Sequence, residues 1–100
     1  MESDEQAVEA KIKDKGLTAA RVTPDMLDEE IAGEDYHVFP NSCLTVCALT
    51  LQNGFTVTGE SACASPQNFD AEIGRQIARR NAREKIWPLL GFRLRDRLCA

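Results

Sequence analysis

Six side chains in this sequence have the chemistry to hold an anion that carries a flat ring: Arg75, Arg79, Arg80 and Arg83, with Trp87 and Tyr36. Arg75, Arg79 and Arg83 recur every fourth residue, so on a helix they form one stripe, with Arg80 beside it. A guanidinium is a planar fork of N–H donors that matches phosphate or carboxylate oxygens, and an aromatic face can stack on a base. Three uses compete for such a stripe. It can be a solvated face with local pairs such as Arg80–Glu84, a phosphate-binding surface for a nucleotide or nucleic acid, or a dock for an acidic patch of a protein partner. The chain is acidic overall, at −4, and contains no helix-turn-helix or basic-arm pattern, which weighs against general DNA binding.

The other reactive side chains form weaker patterns. Cys43, Cys47 and Cys63 could share one face of a hairpin with His37 nearby, but C-x3-C on a strand spreads its two sulfurs apart, unlike a zinc knuckle. Cysteine as a small core residue is the expectation, with no metal and no cofactor. A Cys43–Cys63 cross-strand disulfide is geometrically open on oxidation. His37 is the sole histidine. Ser61, Ser65 and the thiols give it no nucleophile elbow or oxyanion loop, so the chain reads as a non-enzyme. Asn53-Gly54 is a turn and no glycine-rich nucleotide loop is present.

One hundred residues suit a single domain whose modest core leaves room for help from a second copy. No apolar run is long enough to span a bilayer, and Met1-Glu2-Ser3-Asp4-Glu5 lacks the basic and apolar regions of an export signal. The expectation is a cytoplasmic protein with reduced thiols and no membrane. Charge is unevenly placed. Residues 1–36 hold eleven acids and four bases, a net of −7, whereas residues 37–100 hold five acids and eight bases, a net of +3. Such a chain can neutralise itself within or between subunits.

These side chains need elements to position them. Ser3 with Gln6 reads as a capping box for a short charged helix that Gly16 ends, and which frays unless it docks. Thr23-Pro24-Asp25 opens a second helix, with Met26, Leu27, Glu30 and Ile31 on one face and Gly33 as its end. Tyr36 to Phe39 is a brief edge strand, closed by Pro40-Asn41-Ser42. Two apolar runs meet at Gln52-Asn53-Gly54. A three-residue loop with Gly54 left-handed sets Leu51 opposite Phe55, Leu49 opposite Val57, Cys47 opposite Gly59 and Cys43 opposite Cys63, gathering the odd positions on one apolar face. Leu44, Val46 and Ala48 stand on the other face, so this strand wants a central place, beside Tyr36–Phe39 or a partner subunit. A helix follows from Asn68 to Ile86, capped by Asn68 or Ser65. Its Phe69, Ile73 and Ile77 form the ridge expected to face the sheet, with Trp87 returning to that side and Ile86 not; Gly74, Ala78 and Ala82 make a strip of small residues alongside. Pro88 ends or kinks the helix at Trp87, Leu89-Leu90-Gly91-Phe92 turns the chain back, and Leu94 and Leu98 cover an edge. The fold class is α+β: an acidic helical segment over 1–34, then a small antiparallel meander with a long C-terminal helix packed on it over 35–100, both parts of one domain.

The phrase L-T-L-Q-N-G-F-T-V-T-G-E-S-A-C-A-S-P, followed by N-F-D-A-E-I-G-R-Q-I-A-R and K-I-W-P-L, resembles a family of small accessory proteins of tailed phages and prophages, of the coliphage N-four and Shigella-phage Sf-six type. The resemblance takes in Tyr36-His37 and Phe39-Pro40 and so covers the last two-thirds of the chain. It implies a phage-encoded, non-virion protein made in the cytoplasm of an infected or lysogenic bacterium, and it brings no catalytic or binding residues with it. The expected function is binding: inhibiting or redirecting a host defence system, in one form by sequestering a small anionic nucleotide between the arginine stripe and Trp87, Phe92 or Tyr36. The partner is then a host protein or that nucleotide, with a homodimer or higher homo-oligomer as the working form. A nucleic-acid-binding module using the Arg75/Arg79/Arg83 face is the alternative.

Overall fold

A computed structural model describes residues 4–100; Ser3, the proposed capping-box residue, lies outside them. The chain runs through α1 (Asp4–Asp14), α2 (Pro24–Glu30), β1 (Ile31–Val38), β2 (Leu44–Leu51), β3 (Thr56–Ala62), a 3-10 turn (Pro66–Asn68), α3 (Ala71–Glu84) and α4 (Ile86–Cys99). The strands form an antiparallel sheet in the order β1-β2-β3, with α3 laid across β2 and β3. This is the α+β architecture the patterning implies.

The hairpin follows the three-residue loop. Leu49 pairs with Val57, Cys47 with Gly59 and Thr45 with Ser61. Leu51 N–H donates to Phe55 O at 2.8 Å, Gly54 has φ +89°, and the Asn53 side chain accepts from Phe55 N–H at 2.9 Å. The alternation of burial along β2 decides the register: Thr45, Cys47, Leu49 and Leu51 are buried beneath the helices, while Leu44, Val46, Ala48 and Thr50 face the uncovered side. A slip of one residue would bury the wrong set. β2 is central, as its two apolar faces require.

Several expectations are corrected. The second helix stops at Glu30, not at Gly33; β-branched Ile31 begins β1, which pairs with β2 along its full length. Gly33 sits at an irregularity in that pairing between Ile31 and Gly33. The 34/35 division therefore falls inside a strand. The reason is tertiary: the Ile31 pairing with Leu51 outweighs a weak local preference to continue a seven-residue helix.

α3 begins at Ala71, and its cap is Asp70, whose carboxylate accepts from Ile73 N–H at 2.9 Å; Asn68 belongs to the preceding 3-10 turn. The face turned to the sheet is Gly74, Ala78 and Ala82, not the isoleucine ridge; Ile73 is 54% exposed. The helix lies so close to β3 that a Cβ built on Gly59 would stand 2.2 Å from Ala82 N and 2.3 Å from Ala78 O. Only small residues on both partners permit that approach. Ile77 and the isoleucine ridge are pushed to its flank.

The chain does not turn back after Trp87. α3 breaks at Lys85, and α4 continues from Ile86 to Cys99. Pro88 falls in the first turn of α4, where a missing N–H costs nothing. Ile86, placed off the apolar side by the sequence, is fully buried, and Leu90 joins it in the core, whereas Leu98 remains exposed. The core gathers Leu27, Cys47, Leu49, Leu51, Val57, Ala78, Ala82, Ile86 and Leu90.

α1 ends as expected at Gly16, with φ +66° and Leu17 N–H donating back to Ile12 O at 3.1 Å. It buries no residue of its own. The molecule is flat, 49 × 33 × 17 Å, with a radius of gyration of 16.3 Å against about 13 Å for a compact domain of this length.

Candidate functional site

The arginines of α3 are placed by its Asp70 cap and by the small-residue seam that presses it to the sheet. With that seam turned inward, Arg79 reaches β1 and Arg83 reaches α2 and α1. Their partners there are acids from the first third of the chain.

Arg79 Nε donates to Glu34 Oε2 on β1 at 2.6 Å, and the Tyr36 hydroxyl donates to the same oxygen at 3.2 Å. One carboxylate thus holds a guanidinium and a phenol on the β1 side of α3. The bond from Arg79 holds the Glu34 carboxyl below its ordinary pKa, and the same bond raises that of Arg79. Burial, with the neighbouring Cys47 thiol and Glu34 carboxylate, pushes the Tyr36 phenol up to about 12. α3 runs antiparallel to β1, since Arg79 meets Glu34 whereas Arg83 meets Asp28 earlier in the chain. Arg75, one turn before Arg79, therefore lies towards the Tyr36–Val38 end, exposed and without an ion-pair partner among the described residues.

Arg83 is the most enclosed of the four, its side chain 13% exposed. It donates to Glu5 of α1, to Asp28 Oδ1 of α2 at 2.9 Å and to Pro24 O at 3.2 Å. Burial opposes its charge, yet the bonds from Glu5 and Asp28 overcome that and raise its pKa. Arg80 points to the other flank. With Trp87, Pro24, Val8, Glu84 and the acids of α1 it lines a cleft of about 460 Å³. The expected Arg80–Glu84 pair is not formed.

The six residues are therefore not one patch. Arg75, Arg79 and Tyr36 share the β1 ledge, Arg80 and Trp87 share the cleft under α1, and Arg83 stands between, occupied by carboxylates. The acids that engage them, Glu5, Asp28 and Glu34, were not singled out from the sequence. Two further pairs belong to the same network: Arg21 grips Glu9 through both nitrogens at 2.6 and 2.7 Å, and Arg93 holds Glu30 at 2.7 Å. In all five ion pairs among the described residues the acid lies between Glu5 and Glu34. The −7/+3 asymmetry was the signal: the chain neutralises itself within one subunit.

Cys43 and Cys63 meet at the open end of the hairpin, as the register requires. A hydrogen bond between their thiols, then burial, raises the Cys43 pKa. Cys47 is buried apart from them under α3, its thiol raised by desolvation. His37 packs edge-on against Phe39, ring centroids 4.5 Å apart, on the opposite face of the sheet from Cys47. Among the described residues no three His, Cys, Asp or Glu side chains converge as metal ligands, and no helix is long and apolar enough to cross a membrane.

A family model described as "Phage protein (N4 Gp49/phage Sf6 gene 66) family" matches residues 22–98. No curated protein and no solved structure matches the chain.

Proposed function

The chain belongs to the phage protein (N4 Gp49/phage Sf6 gene 66) family, and from that premise we propose that it is an accessory protein acting by binding rather than catalysis, taking a small anionic nucleotide away from a host defence system. One arrangement supports this reading above the others: Arg79 and Tyr36 held on the single carboxylate of Glu34, with Arg75 uncommitted one turn away. Guanidiniums suit the phosphate, the phenol ring suits the base, and Glu34 can accept a base N–H.

The working form in this reading is a homodimer or higher homo-oligomer in the bacterial cytoplasm. The flat shape and the uncovered sheet face of Leu44, Val46 and Ala48 support association of copies. The nucleic-acid alternative, on the Arg75/Arg79/Arg83 face, draws less support, because it needs Arg83 as a third cation of a continuous track, and Arg83 is enclosed by Glu5 and Asp28.

Native mass spectrometry of protein purified from cells making cyclic nucleotide signals tests the reading. A bound mass in the nucleotide range is expected, lost in Arg75→Ala/Arg79→Ala. Unliganded protein, together with no thermal shift across a panel of cyclic and linear nucleotides, overturns it.

A further inference from the structure

We infer that the surface beneath α1 is a docking seat for an acidic amphipathic helix of another protein, and that α1 is its tethered occupant. The seat is built for carboxylates. Arg83 takes Glu5 and Arg21 takes Glu9 in a bidentate grip, so two acids one helical turn apart are read by two guanidiniums.

α1 satisfies the charges of this seat but not its shape. The helix buries no residue, its Val8 is 55% exposed, and none of the described residues fills the cleft between Val8, Pro24, Trp87 and Arg80. A helix carrying the same two acids around a bulkier apolar residue would keep the ion pairs and fill that space. The sequence it must present is acid-x-x-apolar-acid, the pattern of Glu5, Val8 and Glu9 with Leu, Met or Phe at the fourth position.

The span of the family match points the same way. It begins at Val22, so Pro24, Asp28, Arg80, Arg83 and Trp87 lie inside the shared region, while α1 and the Arg21 that grips its Glu9 lie outside it, leaving Arg83 as the seat's shared cation. The residues between α1 and α2, 15–23, contain no helix or strand and allow α1 to leave without disturbing the sheet. While docked, α1 competes at the high effective concentration of a short tether and weakens any helix arriving from solution. This seat is separate from the Arg75/Arg79/Tyr36 ledge, so neither proposal depends on the other.

The test uses full-length protein and a fluorescein-labelled peptide copying residues 4–15 with Val8→Leu, followed by fluorescence polarisation. Glu5→Lys/Glu9→Lys reverses the charges that hold α1. This variant is expected to bind the peptide at least ten-fold tighter than the wild-type chain, and adding Arg83→Glu should remove that gain. Equal affinity of the wild type and the double variant, or binding that survives Arg83→Glu, overturns the inference. Hydrogen exchange on the unmodified chain provides a second reading: saturating peptide should speed exchange across 4–14, and unchanged exchange counts against the seat. Two other occupants have distinct signatures. A wild-type dimer that the double variant splits into monomers would assign α1 to a second copy, and displacement of the peptide by equimolar inorganic triphosphate would assign the seat to small anions. Either result overturns the protein-partner inference.

Discussion

Replacing Gly59 by alanine is the sharpest test of how this fold is held together. The added methyl would stand 2.2 Å from Ala82 N and 2.3 Å from Ala78 O, both backbone atoms of α3 that no side-chain rotation can move. Restoring a carbon contact near 3.5 Å requires the helix to rise by about 1 Å, which opens a gap along the seam that seals Leu49 and Cys47. Overpacking against rigid backbone costs about 3 kcal/mol or more, a large part of the total stability of a domain this size. Two other glycines make internal controls for the same chemical change. Gly91 lies inside α4 with nothing within 4 Å of a built Cβ, so Gly91→Ala should stabilise by about 1 kcal/mol through helix propensity. At Gly74 the new methyl meets the buried Thr45 Oγ1 at 3.0 Å, a side-chain contact that offsets the helical gain and leaves the variant within about 1 kcal/mol of wild type. Urea unfolding followed by far-UV circular dichroism ranks the three, and thermal melts should place Gly59→Ala about 12 °C or more below wild type. A Gly59→Ala chain within 1 kcal/mol of wild type, with native helix content, would refute the close seam on which the architecture rests.

Other outcomes follow from the same contacts. The Glu9, Glu30 and Glu34 carboxyls are held below their ordinary pKa by Arg21, Arg93 and Arg79, so their contribution is present above about pH 4.5 and is lost as pH falls through their folded values; a melting temperature that rises on acidification below that point would contradict these pairs. Arg83→Ala should cost about 2 kcal/mol, because its bonds to Glu5, Asp28 and Pro24 O converge on one enclosed guanidinium, and amide exchange in α1 should accelerate; unchanged exchange would show that α1 is held by something else. Mild oxidation with diamide should join Cys43 to Cys63 first, seen by mass spectrometry as a linked pair of chymotryptic peptides, since cuts after Leu44 and Phe55 separate the three thiols; a first link to the buried Cys47 would contradict the register.

Local rules were sufficient wherever a residue's neighbours in space are also its neighbours in sequence. Gln52-Asn53-Gly54 determined the turn, the turn set the register, and the register put Leu49, Val57 and Cys47 on one side; Gly16 likewise ended α1. Gly74, Ala78 and Ala82 were visible as a strip, but two apolar stripes lay side by side on one helix. Periodicity cannot rank them. Only the backbone of β3 at Gly59, pressed against the helix, selects the small one and leaves Ile73 in solvent. The start of β1 at Ile31 was hidden for a similar reason, since its hydrogen bonds come from a strand about twenty residues later.

The candidate site divides along the same line. The types and spacing of Arg75, Arg79, Arg80, Arg83, Trp87 and Tyr36 stand in the sequence, as does the surplus of acid ahead of them. Which carboxylate meets which guanidinium depends on contacts 45 to 78 residues apart, between Glu34 and Arg79 and between Glu5 and Arg83. Charge composition counts ions but carries no distances. Folding brings the acidic third onto the arginine stripe, covers Arg83, and leaves Arg75 and Arg80 without an ion-pair partner among the described residues.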